Sequence, residues 1–262
     1  SPYDYFIYYY YTIDLLASME RRHEMKRVNL YVHYDSVTNY MMTRALSLTS
    51  DDFSAQNLPN NLILAEAPAN FGRFDVQTNF KILRGRSEVL RYMETVQAQK
   101  LRMSNWIDFE SIELMHQLTP QEIAELLYLF HSSNVLRSAF FYKLQNNFVY
   151  LTLPNGLNKL FYRHIQDFYP RFARNMTERM MDLVNENKNL FFSKRQTVSL
   201  LPAHVAEELA PLFANGIKVD FVQAHSHNGK WSVPLFVIED ELTLLSQNQN
   251  MAEQIGEIVY DT

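Results

Sequence analysis

Signals for helices and signals for hairpins alternate along this chain of 262 residues. The clearest helix start is Thr119-Pro-Gln-Glu122, where Thr can cap the helix, Pro takes its first position and Glu can close a capping box. The clearest hairpin turn is Asn228-Gly229, because both residues tolerate the positive φ of a two-residue turn. This interleaving predicts an α+β fold with mixed helices and antiparallel hairpins.

β-branched and aromatic runs bounded by turn residues predict the strands, and apolar residues at helical spacing predict the helices. Strands are predicted near residues 28–34, 61–66, 139–145, 148–153, 157–163, 218–227 and 230–238. Helices are predicted from Asp35 or Ser36 to about Leu48, near 87–100, after Thr119, and over about 170–185 and 202–214. The strands 139–145 and 148–153 are expected to form a hairpin on Asn146-Asn147.

Residues 25–262 are predicted to form a single α+β domain, with a soft subdivision near residues 132–137. Residues 1–24 are expected to be an upstream leader read as protein, or else an extension that is disordered or docks on the domain. Glu20-Arg21-Arg22 can be encoded as GAA-AGG-AGG, a purine-rich bacterial ribosome-binding sequence, two codons before Met25. We therefore expect a bacterial source, with translation starting at Met25.

Composition excludes several classes of function. The chain has 24 basic and 29 acidic residues, and this formal net charge of −5 argues against a dedicated nucleic-acid binder. It has no cysteine, which excludes disulfides, thiolate catalysis and cysteine-ligated metals. The chain has only six glycines, and neither of the phosphate-binding motifs GxGxxG and GxxxxGK[ST] is present. No apolar run approaches the ~20 residues that a membrane span needs. The sequence predicts a cytoplasmic protein without a cofactor.

His225 and His227 are the candidate metal ligands, because histidines at i and i+2 on a strand point to the same side. A third ligand would be Asp220, His204, Glu239 or Asp240. A two-residue turn at Asn228-Gly229 pairs His227 with Lys230, whose ammonium group would repel a metal ion. Solvated histidines at a hairpin tip are therefore favoured over a metal site.

The predicted meander over residues 139–163 offers a candidate interaction surface, on which aromatic and basic side chains alternate. Its members are Phe141, Lys143, Phe148, Tyr150, Lys159, Phe161 and Arg163. Such a face could bind a partner or stack the bases of single-stranded nucleic acid. Alternatively, the helix predicted over 170–185 packs there and buries the rings.

No catalytic constellation is recognisable, so the sequence favours a non-enzymatic binding protein. Its partner is expected to be another protein or a second copy of the chain, and neither a membrane nor a nucleic acid is favoured. The alternative is a metal-dependent hydrolase that uses His225 and His227. A weaker alternative is a single-stranded nucleic-acid binder that uses the 139–163 meander.

Overall fold

The computed structural model describes residues 28–48, 52, 58–68, 70–153, 157–186, 196–238 and 253–261. These residues form five helices and an open antiparallel sheet of twelve strands, which confirms the predicted α+β class. The segment 1–24 and two of the proposed metal ligands, Glu239 and Asp240, lie outside the described residues.

The sheet places strands from the whole chain side by side. Its strands are β1 Leu30–Asp35, β2 Tyr40–Arg44, β3 Asn61–Leu64, β4 Arg73–Phe74, β5 Lys81–Arg84, β6 Trp106–Phe109, β7 Phe148–Thr152, β8 Asn158–Tyr162, β9 Ile217–Val219, β10 His225–His227, β11 Lys230–Val237 and β12 Gln254–Asp261. Their order is β10-β11-β9-β1-β2-β8-β7-β6-β3-β5-β4, and β12 pairs with β11. Strands from both sides of the predicted subdivision near 132–137 thus belong to the same sheet.

Helices cover both faces of the sheet. They are α1 Arg86–Ala98, α2 Ile112–Met115, α3 Pro120–Ser132, α4 Ile165–Val184 and α5 Ala203–Phe213. Buried residues of α1, α4 and α5 form one core with alternate residues of the strands, and those of α2 and α3 form a second core on the other face. In the described part of the chain, none of the helices has the length and apolar composition of a membrane span.

The predicted capping box is present at the start of α3. Glu122 N donates to Thr119 Oγ1 at 3.2 Å, and Thr119 N donates to Glu122 Oε2 at 2.7 Å. The helices near 87–100 and 202–214 and the strands near 28–34, 61–66, 148–153, 157–163 and 230–238 are also confirmed, with ends that differ by a few residues. Helix α4 begins at Ile165, five residues before the predicted start.

Replacing Thr119 by alanine should lower the free energy of unfolding by about 1 kcal/mol, because the Glu122 amide loses its side-chain acceptor. Thr95 is a matched control, since it lies within α1 and its hydroxyl donates only to the carbonyl of Arg91 one turn earlier. Urea denaturation of both alanine variants measures the difference. Equal stability of the two variants would contradict a role for the capping box.

The helix predicted from Asp35 to Leu48 is wrong, because this segment forms the β1–β2 hairpin. Asp35 Oδ1 accepts from the amide of Thr38 at 3.1 Å, and Asn39 has a φ of 56°, so the carboxylate organises a turn and not a helix cap. Met41 is fully buried within β2, where both faces of the sheet are covered. Strands buried on both faces lack clear alternation, which explains the error.

Two side chains of helix α4 donate hydrogen bonds to main-chain carbonyls at both ends of this hairpin. The guanidinium of Arg179 donates to the carbonyls of Val28 and Ala45. Asn175 Nδ2 donates to the carbonyl of Ser47 at 2.8 Å. The position of the first hairpin therefore depends on polar groups of a helix that follows it by more than a hundred residues.

The strand predicted over 139–145 is also wrong. Asn146 is fully buried, and its side chain accepts from the Phe141 amide at 2.8 Å and donates to the Ala139 carbonyl at 3.2 Å. The chain curls around this amide, and Gln145 has a φ of 51°. Strand β7 therefore pairs with β6 and β8, and the hairpin expected on Asn146-Asn147 does not form.

The strand predicted over 218–227 is interrupted at Asp220. Its Oδ1 accepts from the amides of Val222 and Gln223, both at 3.0 Å, which turns the chain. Strand β9 ends before this turn and β10 begins after it. The carboxylate of Asp220 also pairs with Lys218 Nζ at 2.7 Å, and both side chains are buried.

Candidate functional site

A small polar cavity lies where β6 ends and where helices α1 and α4 begin. Its volume is about 240 Å³. The lining residues are Leu58, Pro59, Asn60, Arg86, Asp108, Phe109, Glu110, Asn147, Phe148, His164 and Asp167. They bring three carboxyl groups, a guanidinium, an imidazole and two side-chain amides to one place, so groups of both charges surround the same space.

Main-chain amides just beyond the last residue pair of β6 and β7 hold the Asp108 side chain in this cavity. The pairing of β6 with β7 ends at Ile107 and Val149, and the Asp108 carboxylate then takes the position of the next main-chain acceptor. Its Oδ1 accepts from the Phe148 amide at 2.7 Å and from the Asn147 amide at 3.0 Å, while Oδ2 lies 3.1 Å from the latter. The side chain is therefore held rigidly at the floor of the cavity.

The environment of Asp108 favours the protonated form of its carboxyl group. The side chain is only 5% exposed. Burial raises the pKa of Asp108 to about 7, although the amides of Phe148 and Asn147 and the charge of Arg163 act to lower it. Near neutral pH, Asp108 can therefore either donate or accept a proton in a hydrogen bond.

The helix starts contribute positive charge to the cavity. Gly85 is the N-cap of α1 and offers no side chain to its first amides, and Arg86 follows as the first helical residue. His164 is the N-cap of α4. The amino ends of helices carry partial positive charge, which favours an anionic group nearby.

Two further carboxylates provide negative charge at the rim. Glu110 is exposed, and its Oε1 accepts from Asn60 Nδ2 at 3.0 Å. Asp167 lies in the first turn of α4 and is half-buried. Together with Asp108, these carboxylates can hold a cationic group of a ligand.

A larger groove, of about 510 Å³, lies at the opposite ends of β3 and β6, beside the end of α3. Its ionisable residues Glu66, Arg102 and His131 are all exposed. Exposed ionisable groups are well solvated, so they are a weaker indication of a functional site than the buried carboxyl group of Asp108. We therefore regard the Asp108 cavity as the candidate site.

The proposed metal ligands His225 and His227 are exposed on β10. They pair with Ser232 and Lys230 in the register expected from the Asn228-Gly229 turn. Among the described residues, no three side chains of metal-ligating type are grouped so that they could hold an ion. The metal site remains a prediction, since two of its proposed third ligands lie outside the described residues.

The seven residues of the predicted interaction surface do not share one face. Phe148 and Tyr150 lie in the core beneath α1, α4 and α5, whereas Phe141 and Phe161 lie in the core beneath α2 and α3. The guanidinium of Arg171, on α4, lies 5.0 Å from the centre of the Phe148 ring. Helix α4 therefore covers Phe148, whereas α2 and α3 cover the core that holds Phe141 and Phe161.

The basic members of that set have partners within the fold. Lys143 Nζ pairs with Glu122 Oε2 at 2.7 Å. Lys159 is buried, and its Nζ lies 5.4 Å from the centre of the Phe161 ring. The half-buried Arg163 lies over the ring of Phe140. Within the described residues, these side chains are engaged in the fold and do not project together from an open sheet.

Sequence reasoning missed Asp108. The available signal was a single carboxylate inside the apolar strand Trp106-Ile-Asp-Phe109, since a charged residue is rarely buried in a strand without a specific reason. The other lining residues come from five separate segments, and only the folded chain brings them together.

No protein-family model matches this chain, and no match was found among curated proteins or solved structures. No activity is carried over from another protein.

Proposed function

We propose that this protein is a bacterial cytoplasmic protein that acts by binding and not by catalysis, and that its cavity at Asp108 takes up a small zwitterionic ligand of the free amino acid class. The observation that carries this proposal is the presence of both charges around one small cavity. The ligand's ammonium group would face Asp108, Glu110 and Asp167. Its carboxylate would face Arg86 and the amino ends of α1 and α4.

The size of the cavity supports a small ligand. Its volume of about 240 Å³ lies below the ~300–1,000 Å³ that is typical of sites for drug-sized molecules. A nucleotide or a dinucleotide cofactor would need more room. A free amino acid offers two opposite charges within a few atoms, which matches the small separation that the cavity allows.

Binding is favoured over catalysis by the side chains that line the cavity. None of the described lining residues carries a hydroxyl, thiol or amine group, and the nucleophile types that the lining does hold are three carboxylates and the imidazole of His164. The Asp108 carboxyl group is itself held by two main-chain amides. These features support a role for Asp108 in holding a ligand.

A thermal-shift panel of the free amino acids tests this proposal. A ligand at 100 times its Kd should stabilise the fold by about 2.7 kcal/mol and raise the melting temperature by several degrees. Alanine has matched controls, because propionate keeps only its carboxylate and ethylamine keeps only its ammonium group. A shift that needs both charges is expected.

Asp108→Asn should abolish that shift, whereas Glu94→Gln, an exposed change on α1 outside the cavity lining, should preserve it. Because a bound ammonium group favours the ionised carboxylate, binding should release a proton and strengthen from pH 6 to pH 8. A flat panel, or equal shifts with the singly charged analogues, would refute the proposal.

A further inference from the structure

Strand β12 forms one end of the sheet and is eight residues long. It pairs with β11 in one register from Asp261 to Gly256, and the register shifts by one residue between Gly256 and Gln254. The other side of β11 is taken by β9 and β10 in succession. Among the described residues, no strand pairs with the outer side of β12. Natural edge strands are protected by short length, charged side chains, proline or β-bulges. Strand β12 has no lysine or proline, and its register shift lies near its start, so the segment from Gly256 to Asp261 remains regular.

The hydrogen bonds of β11 show which groups of β12 face outward. The carbonyl of Pro234 accepts from the amide of Asp220 at 3.0 Å, so it points away from β12. The main-chain N–H and C=O groups of successive residues in an antiparallel strand point to alternate sides. Those of Val233 therefore point toward β12, where Val233 is opposite Ile258. The main-chain groups of Ile258 are thus used by β11, and those of Glu257 and Val259 point outward.

The side chains of β12 alternate in the same way. Ile258 and Tyr260 are buried in the core, whereas Glu257 is exposed and Val259 is 47% exposed. A second copy of β12, added antiparallel with its buried face on the same side, would therefore continue both the sheet and the core. The two copies are then related by a two-fold axis perpendicular to the sheet. One residue of β12 must therefore lie directly opposite its own copy, with the axis between them.

The sequence of β12 selects the residue on that axis. Two registers pair seven residues of the strand, one centred on Glu257 and one on Ile258. The first places Glu257 opposite its own copy, and like charges directly opposite each other are destabilising. The second places Glu257 opposite Val259, so the register centred on Ile258 is favoured.

The register centred on Ile258 also fills a gap at Gly256. Apart from Gly256 itself and its two chain neighbours, no described residue has a heavy atom within 4 Å of the point that a Cβ atom would occupy at Gly256. In this register, Gly256 is opposite Tyr260 of the second copy. An aromatic side chain across from an edge glycine shields its backbone and pins the register.

We propose that β12 is a homodimer interface, in which two copies pair antiparallel about Ile258 to form one continuous sheet. The partner is thus a second copy of this chain, and the main-chain groups of Glu257 and Val259 supply the hydrogen bonds between the copies. This inference goes beyond the proposed ligand-binding function and does not depend on it.

Light scattering of the full chain over a range of concentrations tests the interface, and a dimer is expected. Val259→Pro removes an outward amide that β11 does not use, and it should give a folded monomer with an unchanged circular dichroism spectrum. Val259→Thr keeps the amide and should remain a dimer. A monomeric wild-type protein, or a Val259→Pro variant that remains a dimer, would overturn the proposal.

Cross-linking tests the register even if the proline variant fails to fold. The chain has no cysteine, so each single-cysteine variant carries one thiol. Residues paired directly on the axis are ~4.5 Å apart between Cα atoms, which is within disulfide range, whereas a residue next to the axis lies diagonally from its own copy at ~7–8 Å. Ile258→Cys should therefore form linked dimers faster than Val259→Cys. Equal rates, or faster linkage of the Val259→Cys variant, would overturn this register.

Discussion

Asp108→Asn is expected to make the protein more stable than the wild type at pH 8 and to give no such gain at pH 4. Burial raises the pKa of Asp108 from an ordinary 3.8 to about 7. Between these two values the folded protein keeps a proton that the unfolded chain has released. The free energy of unfolding therefore falls as the pH rises through this window, and an uncharged side chain avoids the loss.

The difference between a pKa of about 7 and one of 3.8 corresponds to roughly 4 kcal/mol at most. An asparagine oxygen in the place of Oδ1 can accept from the amides of both Phe148 and Asn147, but an NH₂ group in the place of Oδ2 cannot accept from Asn147 and brings a second donor close to that amide. We therefore expect a net gain of roughly 1–3 kcal/mol at pH 8.

Urea denaturation from pH 4 to pH 8.5 measures this effect. Glu94→Gln, which removes an exposed carboxylate, should follow the wild-type curve. A gain for Asp108→Asn that is the same at pH 4 and pH 8 would contradict the raised pKa. Combined with loss of ligand response, the expected result would show that Asp108 lowers stability while serving the site, a common trade-off in functional sites.

Phe168→Ala is expected to lower the free energy of unfolding by about 3–5 kcal/mol and the melting temperature by roughly 10 °C. Phe168 is fully buried, and its ring contacts Tyr162, Phe172 and Phe213 with centroid separations of 5.3 to 5.8 Å. These rings join β8, α4 and α5, so the truncation leaves a cavity where three elements meet.

Phe74→Ala is the matched control, because this phenylalanine is 70% exposed. It should change stability by no more than about 0.5 kcal/mol in the same denaturation experiment. Phe168→Leu should lose less than Phe168→Ala, since part of the cavity stays filled. A loss below about 1 kcal/mol for Phe168→Ala would contradict the aromatic packing between α4 and α5.

The parts of the fold that the sequence predicts are those that depend on local chemistry. Helix α3 begins at Pro120 because Thr119 and Glu122 cap each other, and the β10–β11 register follows from the turn at Asn228-Gly229. The segment after Asp35 was misassigned because Met41 and Met42 are both buried, one on each face of the sheet. Burial on both faces removes the alternation that distinguishes a strand from a helix.

The candidate site could not be predicted in the same way. His225 and His227 form a recognisable pattern because they are two residues apart in the sequence, but the cavity depends on residues that are far apart, such as Asp108 and Asp167. Likewise, the predicted aromatic surface assumed regular alternation through Asn146, whose side chain instead curls the chain. Each error comes from a contact between segments that a local pattern does not contain.

The central position of the β1–β2 hairpin has a consequence for how the chain is made. Leu30 in β1 pairs with Val219 in β9, so the ribosome must add almost two hundred residues before this side of the hairpin can be covered. At ~5–20 residues per second, the delay is roughly 10–40 seconds. During that time the nascent chain exposes the edge of β1, whose residues Leu30, Tyr31 and Val32 are buried in the folded protein. A chaperone that shields this edge would raise the fraction of the protein that reaches the native state.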